Sequence, residues 1–416
     1  MGQHVQYGRV VSISAAHKRS VAIIGAGPAG LMAAEVIASA GHAVTVYERM
    51  PSPARKFLLA GRGGLNLTHS EPLDLFLNHY GAEASAVRDA VTAFPPEKLI
   101  AWANGLGQET FTGSSGRIFP KAMKASPLLR AWLRRLDTLG VTIKTRHTWT
   151  GFTSDGGITI ATPDAATLTA KPDALVLALG GGSWPRLGSD GSWVPVLEAD
   201  GIAVAPLMPA NSGVLIAWSN IFATRFAGSP LKRIAVRVGE LTARGEAVIT
   251  QTGLEGGVIY ALAREIRATL ATPSAGAIAI DLKPDITIDD LTQRLLRPRG
   301  SQSVSNFLRK AANLDAAAIG LLREPGLLPP DAAGLAERIK SVRLTVHGSA
   351  PLSRAISSAG GVRFAGLTTE MMFASKPGVF AAGEMLDWEA PTGGYLLQAS
   401  FATGVAAANG VLQWLK

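Results

Sequence analysis

The sequence predicts an α/β protein in which a Rossmann-type, three-layer domain is interrupted by a β-rich, barrel-like domain that carries a small helical subdomain. Three observations predict this fold. Near the N-terminus, a short apolar run is followed by a glycine-rich turn and a run of helix formers. Near Pro206 the pattern changes to alternating segments that are typical of an antiparallel sheet. After Val342 the strand-and-glycine pattern of the first part returns.

This change of pattern also predicts the domain boundaries. Residues 1–20 show no clear periodicity and are expected to form an N-terminal extension. Segments 21–205 and 343–416 are expected to build the Rossmann-type domain together, with 206–342 inserted between them as a substrate domain. Within the insertion, the pattern from 288 to 340 is helical and is interrupted by Pro and Gly. Two domains also suit a chain of 416 residues, because single hydrophobic cores rarely grow so large.

The turn Gly25-Ala-Gly-Pro-Ala-Gly30 has the G-x-G-x-x-G spacing of dinucleotide-binding proteins and lies between the predicted strand Val21–Ile24 and a helix that Gly41 ends. The first glycine permits the sharp turn, the second lets a diphosphate approach the backbone, and the third allows close packing of helix and strand. The helix N-terminus adds amide donors and a positive dipole. The candidate cofactor-binding residues here are Gly25, Gly27, Pro28, Ala29 and Gly30.

An acidic residue completes this pattern. Glu48 ends the next predicted strand, 18 residues after Gly30, where its carboxylate can accept hydrogen bonds from both hydroxyls of an adenosine ribose. An acid at this position argues against a bound 2′-phosphate. Glu48 and the adjacent Arg49 are therefore further candidate cofactor-binding residues.

A second glycine-rich segment follows the strand that ends at Glu48. Its consecutive backbone amides are suited to an anion-binding nest that Arg62 completes, and the alternative is an ordinary surface loop. The candidate residues in this segment are Gly61, Arg62, Gly63, Gly64, Asn66 and Thr68.

A third segment lies near the C-terminus, where a short strand ends in glycine and acids and a long helix then begins. The start of this helix can direct its dipole toward the pyrimidine edge of a flavin, where negative charge builds up on reduction. The alternative is a well-capped terminal helix. The candidate residues are Gly383, Glu384, Asp387, Gly393, Gly394, Tyr395 and Gln398.

Gly180 follows the predicted strand Ala174–Leu179, but the chain then leads into Trp-Pro and not into a helix. This favours a connection that returns toward the cofactor, so Gly180 is also a candidate contact. No second G-x-G-x-x-G follows a strand. NAD(P)H, which we expect as the electron donor, would therefore bind without a Rossmann domain of its own.

Together these segments resemble the glutathione-reductase-type FAD superfamily and, more narrowly, the bacterial BaiN/RdsA-like family of NAD(P)/FAD-dependent oxidoreductases. The matching pieces are GAGPAGLMAAEVIASAGHAVTVYER, AGRGGLNLTHS, GRIFPKAMKAS, LALGGGSWPRLGSDGS and AGEMLDWEAPTGGYLLQASFATG. The resemblance implies FAD as the cofactor and a reductase activity on steroid-like enones or on a uridine of ribosomal RNA. This chain departs from the family at Leu65, where many relatives have Cys, and at Leu396, where many have Asn.

Several classes of site are excluded by the residues themselves. Without cysteine there is no disulfide, thiolate metal site or catalytic thiol, and this composition fits a cytoplasmic protein. The seven histidines show no metal-ligand spacing, so no metal is expected. A G-x-S-x-G nucleophile elbow and an apolar run of membrane-spanning length are also absent from the sequence. No catalytic residue is predicted.

We therefore expect an FAD-dependent oxidoreductase that reduces a conjugated C=C bond or a similar acceptor in a small molecule. The alternative is an RNA-modifying flavoenzyme that reduces a uridine in ribosomal RNA, and a third possibility is a flavin-bearing electron-transfer protein. The net charge of +9 and two acid-free basic stretches suit RNA, but solvated helix faces would have the same composition. These stretches contain Arg117, Lys121, Lys124, Arg130, Arg134 and Arg135, and Arg294, Arg297, Arg299, Arg309 and Lys310.

Overall fold

The computed structural model describes residues 18–271 and 276–416. The predicted N-terminal extension, residues 1–20, lies outside this part of the chain except for its last three residues. The first strand begins at Ser20, one residue before the predicted boundary.

The α-helices of the described residues are distributed along the whole chain. They are α1 (Pro28–Ser39), α2 (Arg55–Ala60), α3 (Leu73–Asn78), α4 (Ser85–Ala93), α5 (Pro96–Gly105), α6 (Ala125–Thr138), α7 (Val194–Ala199), α8 (Asn220–Phe226), α9 (Gly257–Tyr260), α10 (Ala263–Leu270), α11 (Ile288–Leu295), α12 (Val304–Ala312), α13 (Ala316–Leu321), α14 (Ala332–Lys340) and α15 (Tyr395–Trp414).

The β-strands of the same residues form five sheets. They are β1 (Ser20–Ile24), β2 (Ala43–Glu48), β3 (Thr68–His69), β4 (Thr110–Thr112), β5 (Arg117–Pro120), β6 (Thr142–Thr145), β7 (Thr148–Phe152), β8 (Ile158–Ala161), β9 (Thr167–Ala170), β10 (Ala174–Leu177), β11 (Val204–Pro209), β12 (Val214–Leu215), β13 (Pro230–Val238), β14 (Leu241–Thr250), β15 (Gly253–Glu255), β16 (Gly276–Asp281), β17 (Val342–Val346), β18 (Gly348–Ser349), β19 (Ser358–Val362) and β20 (Val379–Ala381).

Five strands form a parallel sheet in the order β20-β10-β1-β2-β6. Its central strands β1 and β10 have buried apolar residues at 21–24 and 174–177, because both faces of the sheet are covered there. Helices α1 and α15 pack against this sheet and against each other. Their backbones come close because α15 has Gly404 at the contact, where a Cβ atom would lie 2.4 Å from the carbonyl oxygen of Ala29.

Two small antiparallel sheets complete this part of the molecule. The sheet β7-β8-β9 contacts the parallel sheet through β2 and supplies the third layer. The sheet β3-β5-β4 joins the segment after α2 to the hairpin formed by β4 and β5. The predicted Rossmann-type α/β fold is confirmed.

The inserted part is built on a seven-stranded antiparallel sheet in the order β17-β16-β13-β14-β15-β12-β18. Strands β17 and β18 lie at opposite edges although only His347 separates them in the chain. The continuous stretch 342–349 therefore pairs with β16 through its first half and with β12 through its second half. Such pairing requires the sheet to curl round into a barrel. Helices α11 to α14 occupy residues 288–340, the segment predicted to be helical.

Buried apolar side chains form two clusters. One draws its members from residues 21–202 and 362–411, and the other from residues 214–346. The predicted end of the insertion at residue 342 is wrong, because β17 and β18 belong to the seven-stranded sheet, which extends to Ser349. Alternate residues of β17 are buried, so its sequence looks like that of a strand in the first part of the chain. Periodicity alone does not identify the sheet to which a strand belongs.

Hydrogen bonds and ion pairs tie the two parts together. Strand β11, which leads into the insertion, pairs with β19, which follows it. From α10 of the insertion, Arg267 forms an ion pair with Glu389 and Arg264 forms one with Glu83. The Arg267 pair is the more sheltered one, because the Arg267 side chain is 13% exposed and that of Arg264 is 57% exposed. We propose that these contacts fix the barrel against the Rossmann-type domain.

Among residues 18–271 and 276–416, no helix combines the length and the apolar character that crossing a membrane requires.

Candidate functional site

A cleft opens where the carboxyl ends of β1, β2, β10 and β20 meet, the usual ligand-binding edge of an open parallel sheet. We call it the strand-end cleft. The predicted site residues that line it are Gly25, Gly27, Pro28, Ala29, Glu48, Arg49, Gly180, Gly383 and Glu384. Residues from four separate segments of the chain are thus brought together in one place.

The three glycines of the first turn have different surroundings. A Cβ atom on Gly25 would lie 2.2 Å from the carbonyl oxygen of Ala178, and its φ of +102° favours glycine. A Cβ atom on Gly30 would lie 2.0 Å from the carbonyl oxygen of Gly25. Around Gly27, by contrast, no described heavy atom lies within 4 Å of an added Cβ atom. Gly25 and Gly30 are therefore required by packing, whereas Gly27 leaves open space at the N-terminus of α1.

The carboxylate of Glu48 holds this turn in place. Its Oε2 accepts a hydrogen bond from the amide of Ala26 at 2.9 Å, and its Oε1 accepts one from the amide of Met50 at 2.8 Å. Burial raises the pKa of Glu48, and the two amide hydrogen bonds oppose the shift. Each oxygen has a second lone pair free for a ligand hydroxyl.

Three cationic side chains line the cleft, and two of them are neutralised. Arg49 forms an ion pair with Asp190 at 2.8 Å. Lys56 donates to Glu384 Oε2 at 2.7 Å. Arg55 forms no ion pair with any described residue, and its Nε atom is buried without a hydrogen-bond partner. The half-buried Arg55 guanidinium, whose Nη1 donates to Ser52 Oγ at 3.3 Å, thus keeps a positive charge that is available to an anionic ligand.

The segment after β10 forms another wall of the cleft. Gly180 has a φ of +71°, and its carbonyl oxygen accepts a hydrogen bond from the indole of Trp193 at 2.9 Å. Ser189 Oγ and Trp149 Nε1 also line this space and are buried without a partner in the described structure. Together with Arg55, these side chains offer unused polar groups to a ligand that fills the cleft.

The cleft residues that the sequence reasoning missed include Arg55, Lys56, Trp149 and Ser189. A signal for the first two was present, because Arg55 and Lys56 are adjacent cations shortly after the acid of the predicted motif. For Ser189 the local sequence carries no such signal. The Lys56–Glu384 pair joins residues 328 positions apart, and Glu384, predicted as a cofactor contact, is held in this ion pair.

The other predicted residues lie outside the cleft lining. Gly394 packs on the backbone of Thr68, because a Cβ atom on Gly394 would lie 2.5 Å from the Thr68 backbone. The second and third predicted segments therefore meet at the start of α15. Gln398 is buried and donates to the carbonyl oxygen of Phe94 at 2.6 Å. The residues outside the lining are Gly30, Gly61, Arg62, Gly63, Gly64, Asn66, Thr68, Asp387, Gly393, Gly394, Tyr395 and Gln398.

A cluster of ionisable side chains surrounds the start of α15. This Tyr395 cluster consists of Tyr395, Glu71, His69 and His79. The Tyr395 hydroxyl donates to Glu71 Oε1 at 2.5 Å, and His79 Nε2 lies 3.2 Å from the same oxygen. Burial and the adjacent Glu71 carboxylate raise the pKa of Tyr395 well above its usual range. The cluster therefore keeps a proton between Tyr395 and Glu71 at physiological pH.

Among the described residues, no group of three or more His, Asp or Glu side chains is arranged to hold a metal ion.

Comparison with known proteins identifies the family of this chain. The family model described as HI0933-like protein Rossmann domain matches residues 19–410. The chain belongs to the HI0933-like family. The family resemblance predicted from the sequence is therefore confirmed. FAD is the cofactor of this protein. The polar groups left free in the cleft fit that cofactor.

Individual relatives cover almost the whole chain. The 3-dehydro-bile acid delta(4,6)-reductase of Clostridium scindens is 26% identical, over 93% of this chain and 97% of its own. The ribosomal RNA dihydrouridine synthase of Escherichia coli is 23% identical, over 94% and 97%. Among solved structures, 3-ketosteroid delta1-dehydrogenase from Sterolibacterium denitrificans matches in fold, with a TM-score of 0.51, 11% identity and coverage of 95% of this chain and 100% of that one.

The surroundings of the glycines predict opposite effects for two similar substitutions. Gly30→Ala should destabilise the apoprotein by about 2–4 kcal/mol, because the new methyl group overlaps the Gly25 carbonyl. Gly27→Ala should leave apoprotein stability within about 1 kcal/mol, because its Cβ atom meets open space, and should weaken FAD binding. Thermal unfolding of both apoproteins and FAD titration of Gly27→Ala measure these effects. Equal loss of stability in the two variants would contradict this prediction.

Protonation of Glu48 should control FAD affinity. The ionised carboxylate accepts ribose hydrogen bonds, so affinity should be constant near neutral pH and fall as the pH drops through the raised pKa of Glu48. Glu48→Gln should lose about 1.5–3 kcal/mol of binding free energy at neutral pH and should flatten the dependence on pH. The test is fluorescence titration of FAD at a series of pH values from about pH 5 upward, which starts just above the usual pKa of a glutamic acid side chain. If the variant shows the same pH profile as the wild type, the assignment of Glu48 is wrong.

Proposed function

We propose that this FAD-dependent oxidoreductase reduces a conjugated C=C bond in a small molecule, with NAD(P)H as the electron donor. The proposal draws on the reductase named for the relative from Clostridium scindens. Because NAD(P)H is a cytoplasmic reductant, we also propose that the protein acts in the cytoplasm.

The observation that carries the proposal is the contact between the start of α15 and the segment that contains Thr68. The first turn of this twenty-residue helix has free amide groups and a positive dipole. Positive φ angles at Gly393 and Gly394 bring the turn against Thr68 without a side chain between them. A helix N-terminus favours the negative charge that develops when an enone accepts a hydride.

Reduction of a C=C bond places a hydride on one carbon and a proton on the other, while NAD(P)H is oxidised to NAD(P)⁺. When bound, FAD supplies the hydride transfer between donor and acceptor. The residues of the protein bind the cofactor and the substrate, orient them and exclude water. Tyr395 and Glu71 hold a proton beside the helix start, and Phe76 covers the Tyr395 ring with a centroid separation of 4.8 Å.

We propose specific roles for the residues of the strand-end cleft. The amides at the start of α1 and the Arg55 guanidinium bind the FAD diphosphate, and Glu48 binds the adenosine ribose. Lys56 and Glu384 neutralise each other, and Ser183 Oγ accepts a further hydrogen bond from Lys56 at 2.5 Å. Lys56 therefore positions Glu384 and leaves Arg55 as the charge for the diphosphate.

Replacing Arg55 should weaken FAD binding without unfolding the protein. Arg55→Met keeps most of the aliphatic contact and removes the charge, which should reduce FAD affinity by about 10- to 100-fold. The matched control is Arg130→Met, which removes an exposed arginine of α6 that does not line the cleft. Equilibrium titration of both apoproteins with FAD measures the effect, and equal affinities in the two variants would exclude Arg55 as the diphosphate ligand.

The second candidate function is reduction of a uridine in ribosomal RNA. The relative from Escherichia coli supports it, as do the exposed cations Arg117, Lys124, Arg130 and Arg134 on β5 and around α6. Binding through phosphate contacts would fall steeply with added salt.

Reduction of the FAD-loaded protein under anaerobic conditions separates the two candidates. We expect NADH or NADPH to bleach the flavin absorbance in stopped flow, and a conjugated steroid enone such as 4-androstene-3,17-dione to restore it with saturable kinetics. An RNA substrate would instead require a ribosomal RNA fragment to restore the absorbance. If neither acceptor reoxidises the flavin faster than buffer does, the small-molecule reductase proposal is wrong.

A further inference from the structure

The segment between β10 and α7 contacts the chain just after β2, although these two strands are not neighbours in the parallel sheet. The strand order β20-β10-β1-β2-β6 places β1 between them. Strand β1 leads directly into the glycine turn, residues 25–30, which lines the strand-end cleft. To reach the residues after β2, the segment that follows β10 therefore extends past the carboxyl end of β1. We call residues 184–190 of this segment the strap.

Contacts with the residues after β2 hold the strap in place. Arg49 forms an ion pair with Asp190, with 2.8 Å between Nη2 and Oδ2, and its Nη1 donates to Ser192 Oγ at 3.2 Å. The two charged side chains are each 28% exposed, so water and salt screen their attraction only in part. A Cβ atom on Gly188 would lie 2.7 Å from Met50 Cγ, so the strap backbone packs directly on Met50. We call the Arg49–Asp190 ion pair the clasp.

The chain is fixed on both sides of the strap, whereas the strap itself has few ties. Before it, Ser183 is buried and accepts a hydrogen bond from Lys56 at 2.5 Å. After it, the Gly191 amide donates to the Gly181 carbonyl oxygen at 3.1 Å. Among the described residues, the backbone hydrogen bonds of residues 184–190 stay within the strap. The polar contact that holds the strap to the facing wall of the cleft in this part of the chain is therefore the clasp.

The strap forms one wall of the strand-end cleft. The strap residues that line the cleft are Leu187, Gly188, Ser189 and Asp190. Glu48, to which we assign the adenosine ribose, lines the same cleft and directly precedes Arg49 of the clasp. The closed clasp thus joins the two walls beside Glu48. An adenosine that reaches Glu48 from this side has to displace the strap.

We propose that the strap is a gate for the cofactor, whose clasp opens to admit the adenosine end of FAD and closes behind it. This inference rests on the proposed assignment of the ribose to Glu48, and it adds a kinetic role for Asp190. Asp190 is not suited to bind the cofactor directly, because its carboxylate and the FAD diphosphate are both negatively charged. It is a positioning residue, which acts by holding Arg49 and the strap together.

The rates of FAD binding and release test this inference. Asp190→Asn removes the charge pair of the clasp, so the strap should open more often. Stopped-flow fluorescence should show FAD binding to the apoprotein about fivefold faster than in the wild type. Release of FAD into an excess of a second apoflavoprotein should accelerate by a similar factor, which leaves the affinity nearly unchanged. The matched control is Arg186→Gln, which removes an exposed cation of the strap that does not line the cleft and should change neither rate.

A reversible lock provides a second test. Because the chain contains no cysteine, the double variant Met50→Cys/Gly188→Cys can form one disulfide within the chain. The close approach of the Gly188 Cβ position to the Met50 side chain places the two sulfur-bearing carbons within the range that a disulfide bridges. The oxidised apoprotein should lose rapid FAD binding and regain it on reduction with a phosphine. Protein that is oxidised after FAD is bound should retain its cofactor until it is reduced.

Three results would overturn the inference. Slower FAD release and tighter binding in Asp190→Asn would show that Asp190 only competes with the cofactor for Arg49. Rates in Asp190→Asn equal to those of the wild type would remove the role of the clasp, and equal FAD binding by the oxidised and reduced double variant would remove the gate. If Arg55→Met weakens FAD binding in the same assays, the proposed FAD site stands without the strap; if it does not, the proposed site itself is wrong.

Discussion

The hydrogen bonds from the amides of Ala26 and Met50 to the Glu48 carboxylate are the interaction on which the rest of the site depends. They join the end of β2 to the glycine turn after β1, and the Gly25 amide adds a bond to the Tyr47 carbonyl oxygen at 2.8 Å. The turn sets the start of α1, and α1 supports α15 through the close contact at Gly404. The same residue that binds the ribose in our account therefore also shapes the cleft.

Charge is distributed differently in the two functional regions. In the strand-end cleft, the cations Arg49 and Lys56 are matched by carboxylates, whereas Arg55 has no ion-pair partner among the described residues, which suits a cofactor with a fixed negative charge. At the start of α15 the carboxylate of Glu71 is held by Tyr395 and His79, and Arg117 has no ion-pair partner among the residues that the structure describes. In our account the first region holds the cofactor, and the second keeps a proton beside the start of α15.

Local pattern was sufficient where neighbouring residues determine the structure. The glycine turn, Glu48 and the strands around them follow from spacing and from the need for glycine at Gly25 and Gly30, and the fold class was predicted correctly. The end of the insertion was not predicted correctly, because the sequence of β17 resembles that of a strand in the first domain. Only the pairing of β17 with β16 shows that β17 belongs to the insertion. Ion pairs between residues that are distant in sequence could not be predicted either, since Lys56 contacts Glu384 only in the folded protein.

The cofactor itself tests the central claim most directly. The protein should be purified without added flavin and then denatured, and the released chromophore should be separated by chromatography and quantified against protein. A diphosphate-binding turn together with a ribose-binding Glu48 predicts intact FAD at a ratio approaching one per chain. Release of FMN would contradict the account, because FMN lacks the adenosine that Glu48 would bind. Absence of flavin, combined with failure of the apoprotein to bind added FAD, would contradict it as well.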